Sequence, residues 1–349
     1  MSNPEFNYYN IGPNYKPFII AEMSGNHNQS LERAIEITKA AAKSGAGAIK
    51  LQTYTADTMT LNLSKNEFYI DDPKSLWSGN SLYDLYKKAY TPWEWHEEIM
   101  KVAKKFGILC FSTPFDETAV DFLEDLNVPL YKIASFENNH LPLIKKIIQT
   151  GKPIIISSGM ASLKELTETV EYIREQGCKE LIVLKCTSSY PASPESSNIL
   201  TIPHMKKMLD CEVGLSDHTL GIGASLAAIS HGAILIEKHF TVDRNDGGVD
   251  SAFSINPKEL RSLVSESKIA WHSLGAVKYG PMEEEKNSLI FKRSIYISED
   301  INENETLTTK NLRIVRPGLG LAPKYYELLL GRKVKRKIPK GTPFSWEMV

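Results

Sequence analysis

Eight short apolar runs alternate with amphipathic segments between residue 18 and about residue 275. The runs are rich in Ile, Leu and Val and show little polar alternation, which is typical of parallel strands covered on both faces. They are FIIAE, AIKLQTY, ILCFSTP, YKIAS, PIIISSG, LIVLKCTS, VGLSD and ILIEKHF. Most of them start 21 to 32 residues apart, which is the length of one strand plus one helix.

This repeat predicts an α/β fold, a (β/α)8 TIM barrel. The competing fold is a doubly wound open sheet, but eight repeats without a glycine-rich phosphate fingerprint favour the closed barrel. Two helix starts resemble capping boxes, one at Thr91 and Glu94 with Pro92 between them, the other at Ser162 and Glu165.

One gap, between AIKLQTY and ILCFSTP, is twice as long as the others. It contains LNLSKNEFYIDDPKSLWSGNSLYDLY, which we interpret as a long loop over the strand ends, because functional lids are a common use of such insertions.

The texture of the chain changes after the eighth repeat. We expect a catalytic barrel over residues 1–275, a polar linker over 276–290 and a small unit over 291–349 with short strands, turns and one short helix. About 60 residues is little for an autonomous core, so this last unit is expected to pack on another surface.

Composition and net charge argue against two classes of function, nucleic-acid binding and membrane-surface binding. The 349 residues are 42% hydrophobic and 24% charged, with a formal net charge of −1, which argues against general binding to nucleic acid or membrane surfaces. The first 17 residues have no apolar signal core, and no apolar run approaches the ~18 residues of a membrane span. The four cysteines form no CxxC pair, so we expect reduced, structural cysteines in a cytoplasmic protein.

Two histidines, His218 in SDH and His239 in EKH, end neighbouring strands. In a barrel enzyme the chemistry lies at the carboxyl ends of the strands. A single histidine there is more often structural, but two on adjacent strands are within reach of one divalent metal, with positions left for substrate oxygens and water. Spacing does not choose among Mn²⁺, Mg²⁺, Co²⁺ and Zn²⁺.

Lys50 and Lys132 lie within apolar strands, where an unpaired ammonium is costly. They either form structural ion pairs with Glu22 or Glu237, or they surround a polyanion together with hydroxyl donors. Point charges plus hydroxyls suit a phosphate and a carboxylate. The hydroxyls at the strand ends are Thr113, Ser135, Ser158 and Ser216, with Ser188 and Tyr190 after the sixth strand.

Lys132 offers a second interpretation, a Schiff base as in metal-free aldolases. Glu22 and Glu137 each follow an apolar strand and are candidate proton-transfer groups. Pairing with the two lysines is the plain alternative for both carboxylates.

Taken together, the motifs IAEMSGNHN, IKLQTY, FSTPFD, YKIASFENN, SSGMAS, KCTSSYP, GLSDHT and IEKHF resemble the sialic acid synthase family, in the family's order. The tail, with VRPGLG, resembles that family's antifreeze-like (SAF) domain. Members condense phosphoenolpyruvate with an amino-sugar aldehyde. IAEMSGNHN, AYTPWEWH and ASFENN are most similar to the pseudaminate branch, whose sugar is 2,4-diacetamido-2,4,6-trideoxy-L-altrose. DGGVDSAFS has Val249 where the sialic and legionaminic branches tend to have proline.

The resemblance implies a role for each matching residue. His218 and His239 match metal ligands for Mn²⁺, Mg²⁺ or Co²⁺, and Glu22, Glu137 and Arg316 are the catalytic candidates. The phosphoenolpyruvate contacts are Lys50, Thr113, Lys132, Ser135, Ser158 and Ser216. The sugar contacts are Gln52, Asn80, Tyr190 and Asp250, with Glu137 also at the sugar.

The resemblance also implies a domain-swapped homodimer, in which Arg316 reaches the active site of the second subunit. Three alternatives stay open: an N-acetylneuraminate or legionaminate synthase, a Schiff-base aldolase, and a non-catalytic carbohydrate-binding protein.

Overall fold

A computed structural model describes residues 9–349. Residues 1–8 lie outside the described part. They belong to the N-terminal segment that is predicted to lack an apolar signal core. Two compact units divide the chain after Gly275. Among the described residues, no helix combines the length and apolar character needed to cross a bilayer.

The first unit is a closed barrel of eight parallel strands, each hydrogen-bonded to the next in sequence order, with the eighth beside the first. The predicted TIM barrel is confirmed, and each of the eight predicted runs contains one strand. The strands β1–β8 are Phe18–Glu22, Ala48–Thr53, Leu109–Pro114, Tyr131–Ile133, Ile154–Ser157, Leu181–Cys186, Glu212–Asp217 and Leu235–His239.

Helices lie between the strands and after the last one. In chain order, α1–α10 are Leu31–Lys43, Ala56–Met59, Leu82–Ala89, His96–Lys105, Glu117–Asp125, Leu141–Ile148, Leu163–Glu175, Thr201–Leu209, Gly223–Ser230 and Pro257–Leu274. The 3-10 turns of this unit are Asn66–Phe68, Trp93–Trp95, Ser135–Glu137, Pro194–Ser197, Arg244–Asp246 and Ser251–Phe253.

Two apolar cores hold the barrel. The larger core lies between the strands and the helices and includes Ile37, Ile144 and Val170, all essentially buried. The smaller core contains the inward side chains of the strands, among them Phe111 and Leu235. This interior layer makes the barrel a packed core and not a pore.

Capping explains one predicted helix start and not the other. At α7 the Ser162 hydroxyl accepts from Glu165 N, and the Glu165 carboxylate accepts from Ser162 N, so the predicted box is confirmed. The box predicted at Thr91 is wrong. Thr91 is fully buried, and its hydroxyl hydrogen-bonds with His27 Nε2 (3.2 Å) instead of capping a helix. A tertiary partner has replaced the local one.

The insertion between β2 and β3 is more ordered than a loop. The gap predicted as a long loop over the strand ends contains the short helix α2, a 3-10 turn and α3. Ser81 provides the cap of α3 by accepting from Asp84 N. Local helix signals, weak in sequence because the segment is short and polar, are sufficient once one cap is in place.

The second unit has its own small core around a two-stranded antiparallel sheet, β9 (Ser294–Ile297) and β10 (Leu312–Val315), with the one-turn helix α11 (Tyr326–Leu329). The strands, turns and short helix predicted for this region are present. Its buried apolar side chains are Ile295, Ile297, Ile301, Leu307, Leu312, Leu329, Val334, Ile338, Phe344 and Met348. The 3-10 segment Glu283–Phe291, which includes part of the predicted linker, is exposed. Two further 3-10 turns are Pro323–Tyr325 and Trp346–Met348.

Candidate active site

The inward positions of the barrel strands change from apolar to polar at their carboxyl ends. Residues on one face of a strand are two apart, and along that face Ile20 is followed by Glu22 and Leu235 by Glu237. Six strands show this step, and the residues that follow the apolar ones are Glu22, Lys50, Thr113, Ser157, Cys186 and Glu237. The polar ends therefore meet at one mouth of the barrel above an apolar floor.

Two lysines and two glutamates form a buried charged cluster at this mouth. Lys50 Nζ lies 2.7 Å from Glu22 Oε2 and 3.8 Å from Glu237 Oε1. Lys132 Nζ lies 3.9 Å from the same Glu237 oxygen. All four side chains are at most 7% exposed. The ion pairs of Lys50 and Lys132 with glutamates, which were the structural alternative, are thus present. They offset the desolvation cost of two buried ammonium groups.

Burial shifts the protonation equilibria of this cluster. Desolvation raises the pKa of Glu22 to about 7, although the neighbouring Lys50 acts against it. Desolvation opposes the charged form of Lys50, but Glu22 and Glu237 outweigh it and raise the pKa of the ammonium. Lys132 has less compensation, and burial lowers its pKa. Glu237 ionises more readily than usual because the two lysines outweigh its burial and lower its pKa.

Hydroxyl and thiol groups lie around these charges. Lys50 Nζ donates to Thr113 Oγ1 (3.2 Å), and Ser216 Oγ donates to Glu237 Oε1 (3.2 Å). Ser135 Oγ donates to Cys186 Sγ (3.2 Å), and Ser158 Oγ accepts from Cys186 N (3.3 Å). The four predicted strand-end hydroxyls, those of Thr113, Ser135, Ser158 and Ser216, are therefore next to the charged cluster or to Cys186.

Lys132 contacts the hydroxyl of Ser157, a residue that was not predicted to belong to the site. Its Nζ donates to Ser157 Oγ (2.7 Å) and to the carbonyl of Ile133 (3.0 Å). The predicted hydroxyl on that strand was Ser158, whose hydroxyl bonds to Cys186 N instead. Both serines end the same strand, and only side-chain contacts distinguish them.

The two predicted metal histidines come together. The ring centroids of His218 and His239 are 5.3 Å apart, and both side chains are at most 11% exposed. His218 Nδ1 donates to the carbonyl of Thr187 (2.9 Å), so Nε2 is the ring nitrogen left for another partner. Burial opposes the charged form of His218, but the hydrogen bond with Cys186 and the charge of that group outweigh burial and raise the pKa of the ring. Burial, with the charges of His218 and Lys50, lowers the pKa of His239 well below its usual value, so its ring is neutral. His239 Nδ1 is buried without a hydrogen-bond partner.

The imidazoles fit a metal in part. The neutral ring of His239, with its unpartnered buried nitrogen, has the donor chemistry that a divalent ion needs. Among the described residues, no group of three or more His, Cys, Asp or Glu side chains is arranged around one point. Two protein ligands are therefore what this mouth offers to an ion.

Aromatic rings border the histidine pair. The Tyr190 ring centroid lies 4.4 Å from that of His218 and 5.9 Å from that of Trp77, which belongs to the insertion between β2 and β3. Trp77 Nε1 donates to the carbonyl of Val249 (3.0 Å) in the loop after β8. The insertion thus lies against the barrel mouth, as the lid interpretation expects.

Of the remaining residues predicted to contact the sugar, Gln52 and Asp250 lie in the barrel mouth, whereas Asn80 is hydrogen-bonded within the insertion. Gln52 Nε2 donates to Glu22 Oε1 (2.8 Å), and Asp250 accepts a hydrogen bond from Ser24 Oγ beside His239. Asn80 is used inside the insertion, where it donates to Trp77 O (3.0 Å) and accepts from Lys88 Nζ (3.1 Å). Its role at the sugar stays a prediction.

Glu137 and Arg316, the other two catalytic candidates, lie after strands β4 and β10 and not within a barrel strand. Glu137 follows β4 in the turn Ser135–Glu137, where burial raises its pKa to about 7 against the lowering effect of Lys132. One of its carboxylate oxygens, Oε2, is buried without a hydrogen-bond partner. Arg316 directly follows β10 in the second unit, where Leu312 lies in that unit's core and Ile314 packs against it.

Several site residues were missed or undervalued from the sequence. Glu237 was considered only as an ion-pair partner, although its position two residues before His239 on one strand face is a usable signal. Cys186 was assigned to packing, yet it contacts Ser135 and lies 3.9 Å from His218 Nδ1. Burial disfavours its thiolate, but hydrogen bonds and charge from His218 outweigh this and lower its pKa to about 7. Ser24 and Trp77 carried no local signal.

A closed parallel barrel with such a cluster at its strand ends is the architecture of a barrel enzyme. The chain belongs to the NeuB family, whose profile matches residues 37–279, and the SAF domain profile matches residues 292–349. The resemblance inferred from the motifs is confirmed.

Individual relatives agree with this assignment. The chain is 43% identical to a pseudaminic acid synthase of Campylobacter jejuni over 332 residues, covering 95% of this chain and 96% of the relative. It is 41% identical to the pseudaminic acid synthase of Helicobacter pylori, covering 94% and 96%. The crystal structure of an N-acetylneuraminic acid synthetase from Leptospira borgpetersenii in complex with citrate is similar, with a TM-score of 0.71 at 32% identity, covering 80% of this chain and 92% of that one.

Proposed function

We propose that this chain is an enzyme that condenses phosphoenolpyruvate with 2,4-diacetamido-2,4,6-trideoxy-L-altrose and water, giving pseudaminic acid and phosphate. The observation that carries the proposal is the buried pair Lys50 and Lys132, which lies in the same barrel mouth as the neutral ring of His239. The two full-length relatives named above, at 43% and 41% identity, are pseudaminic acid synthases, which favours this sugar over N-acetylmannosamine.

Phosphoenolpyruvate binds against the two lysines. Its carboxylate and phosphate would take over cationic partners that Glu22 and Glu237 now hold, and a Glu22 whose pKa is about 7 can give way by binding a proton. The hydroxyl donors around the ligand are Thr113, Ser135, Ser158 and Ser216. Donors that need no reorganisation when charge arrives are the general means of stabilising it.

His218 and His239 would hold one divalent ion, Mn²⁺, Mg²⁺ or Co²⁺. When bound, such an ion supplies Lewis-acid polarisation of the sugar's aldehyde group. The carbonyl of Thr187 fixes the His218 tautomer, and burial keeps His239 in the neutral form that can act as a ligand.

In the reaction, C3 of phosphoenolpyruvate forms a bond to the aldehyde carbon, and the aldehyde oxygen takes a proton. The positive charge that develops at C2 is quenched by water, which loses a proton. The resulting tetrahedral centre expels phosphate by cleavage of its C–O bond. Glu22, whose Oε2 lies 2.7 Å from Lys50 Nζ, would stabilise C2 or activate the water, and Glu137 would move a proton on the sugar.

The sugar lies on the other side of the mouth, against Gln52, Tyr190 and Asp250, with Asn80 contributed by the insertion. We propose that the enzyme is a domain-swapped homodimer in the cytoplasm. Arg316 of a second copy would then complete the site with a further cation for the anionic substrate.

The test of this chemistry is isotopic. Phosphoenolpyruvate labelled with ¹⁸O at the oxygen between C2 and phosphorus is incubated with the altrose-configured sugar and Mn²⁺. C–O cleavage sends the label into inorganic phosphate, with one nine-carbon keto acid formed per phosphate. Label that stays in the organic product, or phosphate release without the keto acid, contradicts the mechanism.

A Schiff-base aldolase is a second candidate, because burial lowers the pKa of Lys132 and so favours a nucleophilic amine. Borohydride reduction in the presence of either substrate, followed by peptide mass spectrometry, separates the two. Trapping at Lys132 with activity that survives chelation supports the aldolase. An unmodified Lys132 with activity lost to chelation supports the condensation proposed here.

A further inference from the structure

Ser24, just after β1, has a backbone conformation that costs energy. Its φ is +47°, in the left-handed region that residues with a side chain seldom adopt, and it is 4% exposed. Glycine would take this φ without strain. Because glycine would suit this backbone conformation better, the presence of serine indicates a role for its hydroxyl group.

The Ser24 hydroxyl donates to Oδ2 of Asp250, 226 positions away in the loop after β8. The same carboxylate oxygen lies 3.5 Å from Nδ1 of His239. The backbone of Asp250 is held by a different serine, since Ser254 Oγ donates to the Asp250 carbonyl (2.7 Å). One serine thus fixes where the Asp250 backbone lies, and the other fixes where its carboxylate points.

The surroundings of Ser24 leave little freedom. A Cβ on Gly25 would lie 2.5 Å from Val249 Cγ2 and 3.0 Å from the backbone of Ala89, so the turn after β1 is pressed against the loop after β8 and the end of α3. Trp77 of the insertion holds the Val249 carbonyl from the other side. Tight packing between the turn after β1 and the loop after β8 therefore fixes the position of the Ser24 hydroxyl next to Asp250.

We propose that Ser24 is a positioning residue for sugar selection, which aims the Asp250 carboxylate at a hydroxyl or acetamido N–H donor of the open-chain amino sugar. The inference rests on the proposed function and adds a residue to it. A desolvated carboxylate gains most from a donor in the right place and leaves a buried charge unpaired when the donor is missing. A small change in its direction therefore separates sugars that differ in one substituent.

The test uses Ser24→Gly, which removes the hydroxyl and relieves the backbone at once. A thermal midpoint at or above that of the wild type is expected, together with a loss of about 10-fold or more in kcat/KM for the sugar, the usual effect of losing one hydrogen bond to a charged group. The loss should be mostly in the KM of the sugar. The KM of phosphoenolpyruvate and the affinity for Mn²⁺, measured by calorimetry, should stay near wild-type values.

A double-mutant cycle shows whether Ser24 acts through Asp250. Asp250→Asn alone should raise the sugar KM at least as much, and adding Ser24→Gly to it should cost little more. Ser254→Ala is the matched control, because it removes the bond to the Asp250 backbone; a lower thermal midpoint without a selective rise in sugar KM is expected.

Three results would overturn the proposal: wild-type sugar kinetics in Ser24→Gly, equal rises in KM for both substrates, or a parallel fall in Mn²⁺ affinity. Additive losses in the cycle would also contradict it. Failure of the proposed function is distinguishable, since the wild-type enzyme would then form no keto acid from this sugar.

Discussion

At the scale of single residues, burial sets the charge states in the barrel mouth. Glu22 and Glu137 both have their pKa raised to about 7, chiefly by desolvation. Carboxyl groups that exchange protons near neutrality are suited to general acid–base work. The same burial keeps His239 neutral, which is the form that can bind a metal. One physical cause therefore sets the charge states of the two carboxyl groups and of the imidazole.

Glu137→Gln tests this effect of burial through stability. The folded-state pKa of about 7 exceeds the ordinary value of 4.5, so the folded protein binds the extra proton and loses stability as pH rises from about 4.5 to about 7. Glutamine removes that penalty. We expect the variant's thermal midpoint to exceed the wild type's at pH 8 and to match it at pH 4.5.

Glu165→Gln is the control of opposite sign. Its carboxylate caps α7, and the backbone hydrogen bond from Ser162 lowers its pKa. That group adds stability at pH 8, which is lost as pH falls through its folded-state pKa, so the glutamine variant should melt below the wild type at pH 8. Equal behaviour of the two variants across pH would contradict the account of Glu137.

At the scale of elements, a buried ion pair joins the ends of β7 and β8. Lys238 Nζ lies 3.0 Å from Asp217 Oδ2, and both side chains are 1% exposed. Asp217 also accepts from Ser225 Oγ (2.6 Å), and Lys238 Nζ donates to Thr219 O (2.6 Å). Each member directly precedes one of the two histidines proposed as metal ligands, His218 and His239, so the pair joins the strand ends on which these histidines lie.

Lys238→Met leaves the Asp217 carboxylate buried without its cation. Breaking a buried pair from one side typically costs about 3–5 kcal/mol, and we expect a loss of that order in urea unfolding. Lys206→Met breaks the half-exposed pair of Lys206 with Glu212 (2.8 Å) and should cost below about 1 kcal/mol. Similar losses in both variants would show that the Asp217–Lys238 pair has no special weight.

The elements also show how far the sequence could be read. The strands were predictable because each is a nearly continuous apolar run, and the polar residues at their ends follow those runs directly. The cap at Ser162 was predictable because it depends on a spacing of three residues. Thr91 was not, since a buried histidine replaced its helix cap. The bond between Ser24 and Asp250 joins loops 226 positions apart, and no local pattern encodes such a contact.

At the scale of the whole molecule, each unit is compact by itself. The second unit, after Gly275, buries ten apolar side chains around β9 and β10, a small core. Small domains gain much of their stability from packing on another surface. Docking of this unit on a second copy, which would bring Arg316 to that copy's site, stays a prediction.

Mixing two inactive variants tests the exchange. Lys50→Ala is expected to inactivate the barrel that carries it, and Arg316→Ala to remove the arginine that the second unit is proposed to supply. If Arg316 acts on the second copy, a hybrid dimer contains one intact site. Random reassociation then restores about a quarter of the wild-type sites, seen as a return of phosphate release. If Arg316 acts within its own chain, no mixture regains activity beyond that of the separate variants.

The central claim, condensation with the pseudaminate precursor, is tested most directly by one comparison. Phosphate release from phosphoenolpyruvate is measured with 2,4-diacetamido-2,4,6-trideoxy-L-altrose and with N-acetylmannosamine, under the same Mn²⁺ concentration. The account predicts turnover with the altrose sugar and a kcat/KM for it larger by about 10²-fold or more, since buried polar groups left unpaired discriminate strongly. Equal or better turnover with N-acetylmannosamine would contradict it.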